Sequence, residues 1–419
     1  MPRIDFHKLF VLSLQGAVTL LVMAPLLAFA SDSAAPSKEP VAAKPAVYVP
    51  KAKPVAPPTR EALERAITRG VDFIVKIQNR SGSWGSATQT KDLNIYAPVP
   101  GAHDAFRAAV TALCVSALID SADARPEVAS AIDRGEAWLL ENLPKVRRND
   151  VTALYNNWTH AYGIEAMARL LGRHNNDPAR EKAIRAVIAQ QVDRLNRYQY
   201  GAGGWGYYDF ETHLQHPGEY VPSFTTATVL LALKEARRVG VDVPEAMVTR
   251  GVRTVLQQQK PDFTYLYSGN FWSHPMRPIN QPGGSLGRSQ VCNLALRQWG
   301  DKRITDEVLE ECLDRLFARN LWLDIGRKRP IPHESYFQVA GYFYYYGSYY
   351  ASQCIDELPA EKRPPLKAQL ATRLLPLQEK DGSWWDFPLY NYHQQYGTAM
   401  GVMSLVRCRG ANPRPLAGG

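Results

Sequence analysis

The chain has 419 residues, 45% of them apolar, and 49 Lys and Arg against 40 Asp and Glu give it a formal charge of +9. That is core material for one large folded body, and the charge is scattered: short basic runs such as Arg327-Lys328-Arg329 lack the interleaved aromatics of a nucleic-acid surface, so nucleic acid is excluded as a partner. The five cysteines, Cys114, Cys292, Cys312, Cys354 and Cys408, lie far apart with no Cys-x-x-Cys pair, which argues against a disulfide framework; Cys114 and Cys408 sit in apolar helical patterns as small core residues.

Residues 1–30 have the layout of an export signal: Arg3 and Lys8, an apolar run from Leu9 to Leu27, then Ala28-Phe29-Ala30 before polar Ser31. Cleavage after Ala30 would deliver the protein to a periplasm or cell surface. The run approaches bilayer-spanning length, so an uncleaved anchor is the alternative, although Pro25 favours the signal. Residues 31–59, rich in Ala, Pro, Lys and Val, read as a linker, residues 60–410 as the folded body, and 411–419 as a tail.

Within the body one phrase recurs, a helix-like stretch, a Gln, and a Gly turn closing on Trp. It runs from Ile77 to Trp84 and from Leu377 to Trp384, with a variant from Tyr198 to Trp205 and a degraded one from Val255 to Lys260. In chain order, amphipathic segments fall at Leu63–Gln78, Val128–Asn142, Ala183–Gln199, Met247–Gln259, Val308–Asn320 and Leu366–Gln378. Arg-Gly recurs on three of them, at 69–70, 134–135 and 250–251, where glycine would admit a neighbouring helix. Between them lie more apolar segments, Phe106–Leu118, Trp158–Leu171, Thr225–Ala236, Arg288–Trp299, Tyr336–Cys354 and Tyr392–Val406. The pattern predicts six pairs of outer and inner helices at a period of about 60 residues. A closed ring is favoured over an open superhelix, because the first and last pairs carry the same phrase and open arrays end in atypical caps.

This Gln…Gly-x-Trp turn between paired helices resembles the repeat of the squalene-cyclase and protein-prenyltransferase superfamily, over roughly residues 60 to 410. The resemblance implies an all-α (α/α)6 toroid with inner helices around a central cavity. It also implies that the Gln bonds backbone at a helix end while the Trp packs over it, and Gly82 and Gly382 suit the left-handed turn this needs. The family's cyclases protonate substrate with an Asp-x-Asp-Asp motif, and this chain has no consecutive Asp pair. Its prenyltransferases hold zinc with Asp-x-Cys and a His. Here Gln290-Val291-Cys292 and His393 match that pattern only in part, so no metal or cofactor is assigned. The loop His213 and His216, with Glu211 and Glu219, is a weak metal pattern. The thioester motif of complement-like toroids and a Gly-x-Ser-x-Gly elbow are both missing.

Ligand contacts are expected at the N-terminal ends of the inner helices and the loops before them. Trp205-Gly206-Tyr207-Tyr208-Asp209 and Trp384-Trp385-Asp386 each put a carboxylate just after the repeat Trp, for acid–base work or for capping a turn. The candidate catalytic residues are Asp209, Asp386 and His393. The candidate ligand-binding residues are Trp158, His160, Tyr207, Tyr208, Arg288, Tyr336 and Tyr392. Tyr342 to Tyr346, followed by Tyr349 and Tyr350, would line a cavity or pack between helices. The expected partner is an apolar, isoprenoid-like small molecule or a glycan, with contact to a membrane surface left open. The function reads as an exported hydrophobic-ligand toroid; the alternatives are a non-catalytic binding or scaffold protein, or an (α/α)6 enzyme acting on a glycan.

Overall fold

Thr59 opens the first helix: its hydroxyl accepts the Ala62 N–H at 3.2 Å, and α1 (Arg60–Lys76) follows with one apolar face buried. The structure is a computed structural model that describes residues 49–92, 101–146, 157–206, 221–269 and 272–409. These lie in the larger of two units, Val47–Gly419.

Outer and inner helices then alternate. The outer set is α1, α3 (Pro126–Asn142), α5 (Pro178–Arg197), α7 (Glu245–Gln257), α9 (Asp306–Ala318) and α12 (Arg363–Leu374). The inner set is α2 (Asp104–Ser121), α4 (Trp158–Leu171), α6 (Ser223–Arg238), α8 (Ser289–Gln298), α11 (Phe343–Asp356) and α13 (His393–Cys408). Each inner helix packs on the next, and α13 returns to α2, so the inner ring is closed. The fold is an all-α toroid of six pairs. Inner helices are buried nearly all round, as α2 shows from Ala105 to Leu118, whereas outer helices bury one face.

The repeated phrase is the joint between successive outer helices. The Gln78 side-chain amide donates to the carbonyls of Gly82 and of Ala131 on α3, both at 2.9 Å, and Arg134 donates to its oxygen. Trp84 is fully buried; its Nε1 donates to the Ile74 carbonyl at 2.8 Å, and its backbone N–H to the Thr111 hydroxyl of α2 at 3.1 Å. Its ring lies where only glycine fits: a Cβ on Gly135 would stand 2.9 Å from the ring. The same set recurs with Gln199, Trp205, Thr226 and Arg250-Gly251. It recurs again between the chain's two ends: Gln378 donates to the Ala66 carbonyl of α1 at 2.9 Å, and Trp384 rests on Gly70. Arg-Gly is therefore the receiving half of the joint. The other three joints use an Arg bonded to a preceding carbonyl: Arg194 to Pro144, Arg315 to Asp262 and Arg373 to Phe317.

Two boundaries differ from the sequence pattern. The inner segment expected from Tyr336 is helical only from Phe343, because Phe337 and Gln338 take left-handed φ values of 62° and 54°. After α9 the chain adds a short α10 (Asn320–Asp324), which the repeat did not announce.

Candidate functional site

Four inner helices present large apolar residues, most of them aromatic, at their N-terminal ends in steps of one helical turn. They are Phe106 and Val110 on α2, Trp158 and Tyr162 on α4, Tyr342 and Tyr346 at α11, and Tyr392, Tyr396 and Met400 at α13. Residues four apart share a helix face, so all of them point one way. With Ala109, Leu113, Phe387 and Leu389 they enclose a cavity of about 100 Å³. Among the described residues no carboxylate or cation lines it.

Titratable groups stand behind the wall. Asp386 is fully buried; its Oδ1 accepts from the Tyr396 hydroxyl and its Oδ2 from the Tyr345 N–H at 3.0 Å. Burial pushes its carboxyl up to about 7, against the pull of those two bonds and of Arg327. On the other side, Tyr342 shares a 3.1 Å hydrogen bond with His333 Nε2, and its hydroxyl lies 3.0 Å from that of Tyr267. His333 Nδ1 is 2.7 Å from the Gln338 carbonyl, which can only accept, so Nδ1 carries the proton and neutral Nε2 accepts from Tyr342. Burial holds the His333 pKa below its ordinary value. At the cavity edge the His103 ring meets Tyr390 edge-on at 4.6 Å, and the Lys91 ammonium lies 3.8 Å from the Phe387 ring. Burial brings Lys91 down to about 8.

Deeper in the ring, Tyr346 and Tyr350 meet at the Thr228 hydroxyl at 2.7 and 3.3 Å. Beyond them Tyr349 donates to Glu165 at 3.3 Å, and Arg169 pairs with Asp120 at 3.1 Å. Burial raises Glu165 to about 7, Arg169 opposing.

Residues 43–271, more than half of the chain, match the family model of the squalene-hopene cyclase C-terminal domain. This chain belongs to that family. A search of curated proteins found no match. Among solved structures, the chain is similar to an arginine-to-alanine variant of the type II terpene cyclase MstE from Scytonema, in complex with geranylgeranyl dihydroxybenzoate. The identity is 15% and the TM-score 0.50, covering 84% of this chain and 98% of that one. An inactive variant of the alpha-1,6-mannanase GH76A of a Salegentibacter species, in complex with alpha-1,6-mannotriose, is similar at 11% identity and TM-score 0.50, covering 83% and 99%. Unsaturated glucuronyl hydrolase from Streptococcus agalactiae is similar at 13% identity and TM-score 0.52, covering 84% and 93%. At these identities the likeness is one of fold.

Against the sequence-derived candidates, Trp158 and Tyr392 lie in the cavity wall and Asp386 one residue behind it. Four do not reach it. His393 bonds the Tyr390 carbonyl at 2.7 Å and packs on Trp385. His160 is buried toward α5, its Nδ1 2.7 Å from Gln191, and burial takes its pKa down to about 4. Arg288 is buried and holds the carbonyls of Gly284 and Tyr265 at 2.6 and 3.0 Å, which makes it a structural clamp. Tyr336 is 66% exposed and packs with Trp322 and Phe337. Asp209, Tyr207 and Tyr208, and the loop of His213 and His216, lie outside the described residues. The partial zinc pattern does not converge: the Cys292 thiol, pushed up to about 12 by burial, bonds Ser223, while His393 faces Trp385. No cluster of three or more metal-ligating side chains occurs among the described residues. Sequence reasoning missed Tyr396 and Phe106. The signal was present in Tyr392-x3-Tyr396-x3-Met400, whose four-residue steps mark one face of an inner helix.

Proposed function

We propose that this protein is an exported toroid that binds a hydrophobic, isoprenoid-type ligand in the aromatic cavity at the N-terminal ends of its inner helices. The observation that carries the reading is the wall itself. The aromatic rings of Phe106, Trp158, Tyr162, Tyr346, Phe387 and Tyr396 suit an unsaturated hydrocarbon, because π bonds and any positive charge they develop are favoured beside aromatic rings. The fold carries a geranylgeranyl ligand in one similar structure and a mannotriose in another. Glycan hydrolysis needs two carboxyl groups flanking the scissile bond. Of the described carboxylates, Asp386 is covered by Tyr396, and Glu165 lies below the cavity beside Tyr349. The apolar ligand is therefore the better fit. Export rests on residues 1–30, with their basic start, apolar run and Ala-Phe-Ala end.

Titration of intrinsic tryptophan fluorescence with geranylgeraniol and with mannotriose tests this. Geranylgeraniol should bind, and Leu113→Trp, which fills the cavity, should abolish the binding while the helical circular dichroism is kept. Binding of mannotriose in place of geranylgeraniol would overturn the reading.

A further inference from the structure

At the edge of the cavity, polar groups that can donate stand together without an acceptor. His103 and Tyr392, the N-cap residues of α2 and α13, stack with ring centroids 6.1 Å apart at an interplanar angle of 25°. Tyr392 is fully buried and its hydroxyl turns to the Arg107 guanidinium, itself a donor, so its proton finds no acceptor among the described residues. His103 is 6% exposed, and its Nδ1 has no partner there either. A buried polar group left unpaired is costly, so the cluster marks a place for an acceptor that the folded chain does not supply. The two helices point the same way. α2 and α13 pack on each other, and neither N-cap side chain bonds its first turn, so the positive ends of both helix dipoles meet the site uncapped by a side chain. The local field is positive as well. Burial and the Arg107 charge hold the His103 pKa below its ordinary value, and Asp104, half exposed, answers Arg107 only at 4.0 Å. Lys91, the other cation at the cavity edge, is already engaged by the Pro330 carbonyl at 2.6 Å and the Phe387 ring.

We infer that the ligand carries a carboxylate head group, held by Arg107, Tyr392 and His103 at the adjoining N-termini of α2 and α13, with its apolar chain along the aromatic wall. The inference rests on the reading of the cavity as the site of a hydrophobic ligand. Phe106 joins the two halves, because its ring lines the cavity and lies 5.8 Å from that of Tyr392 and 6.4 Å from that of His103. An ionised carboxylate accepts and never donates, which is what the cluster lacks, whereas an alcohol would bring one more donor. The guanidinium fork and the tyrosine hydroxyl suit the two oxygens of a planar group. Charge selects a carboxylate over a diphosphate. Arg107 supplies one positive charge, while Tyr392 and His103, with its lowered pKa, are neutral at neutral pH. One negative charge is therefore matched, and the further charges of a diphosphate would be left unpaired beside an apolar wall.

The test is a tryptophan-fluorescence titration of the full chain at neutral pH with geranylgeranoic acid, geranylgeraniol and geranylgeranyl diphosphate. The wild type should bind the acid about tenfold or more tighter than the alcohol, the worth of a hydrogen-bonded charge pair, and tighter than the diphosphate. Arg107→Met keeps the long stem and removes the charge; it should bring acid and alcohol within about twofold of each other, and Arg107→Lys should restore part of the preference. Tyr392→Phe, which removes the hydroxyl alone, should lower the preference about threefold. Circular dichroism checks that each variant keeps its helices. Equal binding of acid and alcohol by the wild type, tighter binding of the diphosphate, or a preference for the acid that survives Arg107→Met overturns this inference and leaves the hydrophobic-ligand reading standing. Failure of the wild type to bind any of the three overturns that reading, and this inference with it.

Discussion

The ring-closing joint between Gly70 and Trp384 makes a quantitative prediction. A Cβ added at Gly70 would stand 2.6 Å from Val402 Cγ2 and 2.9 Å from the Trp384 ring, so Gly70→Ala forces side chains apart. Overpacking of that kind costs about 1–3 kcal/mol, offset by about 1 kcal/mol because Ala is a better helix residue than Gly. Trp384→Ala removes a fully buried ring and its 2.9 Å bond to the Leu374 carbonyl, a loss of about 3–5 kcal/mol. In the double variant the new methyl enters the space the indole vacated. The combined loss should then fall short of the sum of the two by about 1 kcal/mol or more, within the range seen for contacting residues. Urea unfolding followed by circular dichroism on the four proteins measures the coupling. Additivity within about 0.5 kcal/mol would mean that Gly70 is not glycine because of the tryptophan, and the account of the joint would fail.

The other predictions follow from single sites. His393→Ala should leave geranylgeraniol binding unchanged in fluorescence titration and lower stability by about 1 kcal/mol, since its ring bonds the Tyr390 carbonyl and packs on Trp385. Asp386 has its folded pKa raised from 3.8 to about 7, so the folded state holds the proton more tightly than the unfolded chain. Its contribution to stability is complete below the unfolded value and is lost as pH rises through about 7. Asp386→Asn should therefore flatten the fall in Tm between those limits, and an unchanged slope would refute the burial argument. N-terminal sequencing of protein from its native host should begin at Ser31; an intact Met1 in a membrane fraction would favour the anchor.

The fold was legible because its joints are written in side chains with few substitutes. A Gln that bonds two carbonyls and a Trp that needs a facing glycine leave a spaced signature in the chain, and its recurrence at both ends announced closure. The threonines that complete the joint, Thr111, Thr226 and Thr398, were invisible, because a hydroxyl on an inner helix looks like any small core residue until its acceptor role is seen. The site was legible only in part. Trp158 and Tyr392 were singled out from their positions at helix starts and Asp386 from its place just after the repeat Trp, but position alone does not say which way a side chain turns. His160 follows Trp158 by two residues, about 200° around the helix, and so faces α5 and not the cavity. The pairing of His333 with Tyr342 needed left-handed residues that no local pattern predicts.

The closed ring also explains why the cavity sits at one end. Every inner helix is reached through an outer one, so the inner helices run in the same direction and gather their last turns together. Those turns carry Asp120 with Arg169, Arg297 with Glu357, and Asp356 with Arg407, in partly or wholly buried ion pairs. The N-terminal turns carry aromatics. Removing water from both ends would leave charges with no solvation except each other, and a paired ionic layer is tolerable when each group keeps its partner. An apolar ligand gains nothing from that layer and much from the ring faces at the other end. The chemical polarity of the toroid therefore favours that mouth for the proposed apolar ligand, and the tyrosines bonded to Asp386 and His333 stand at the same end.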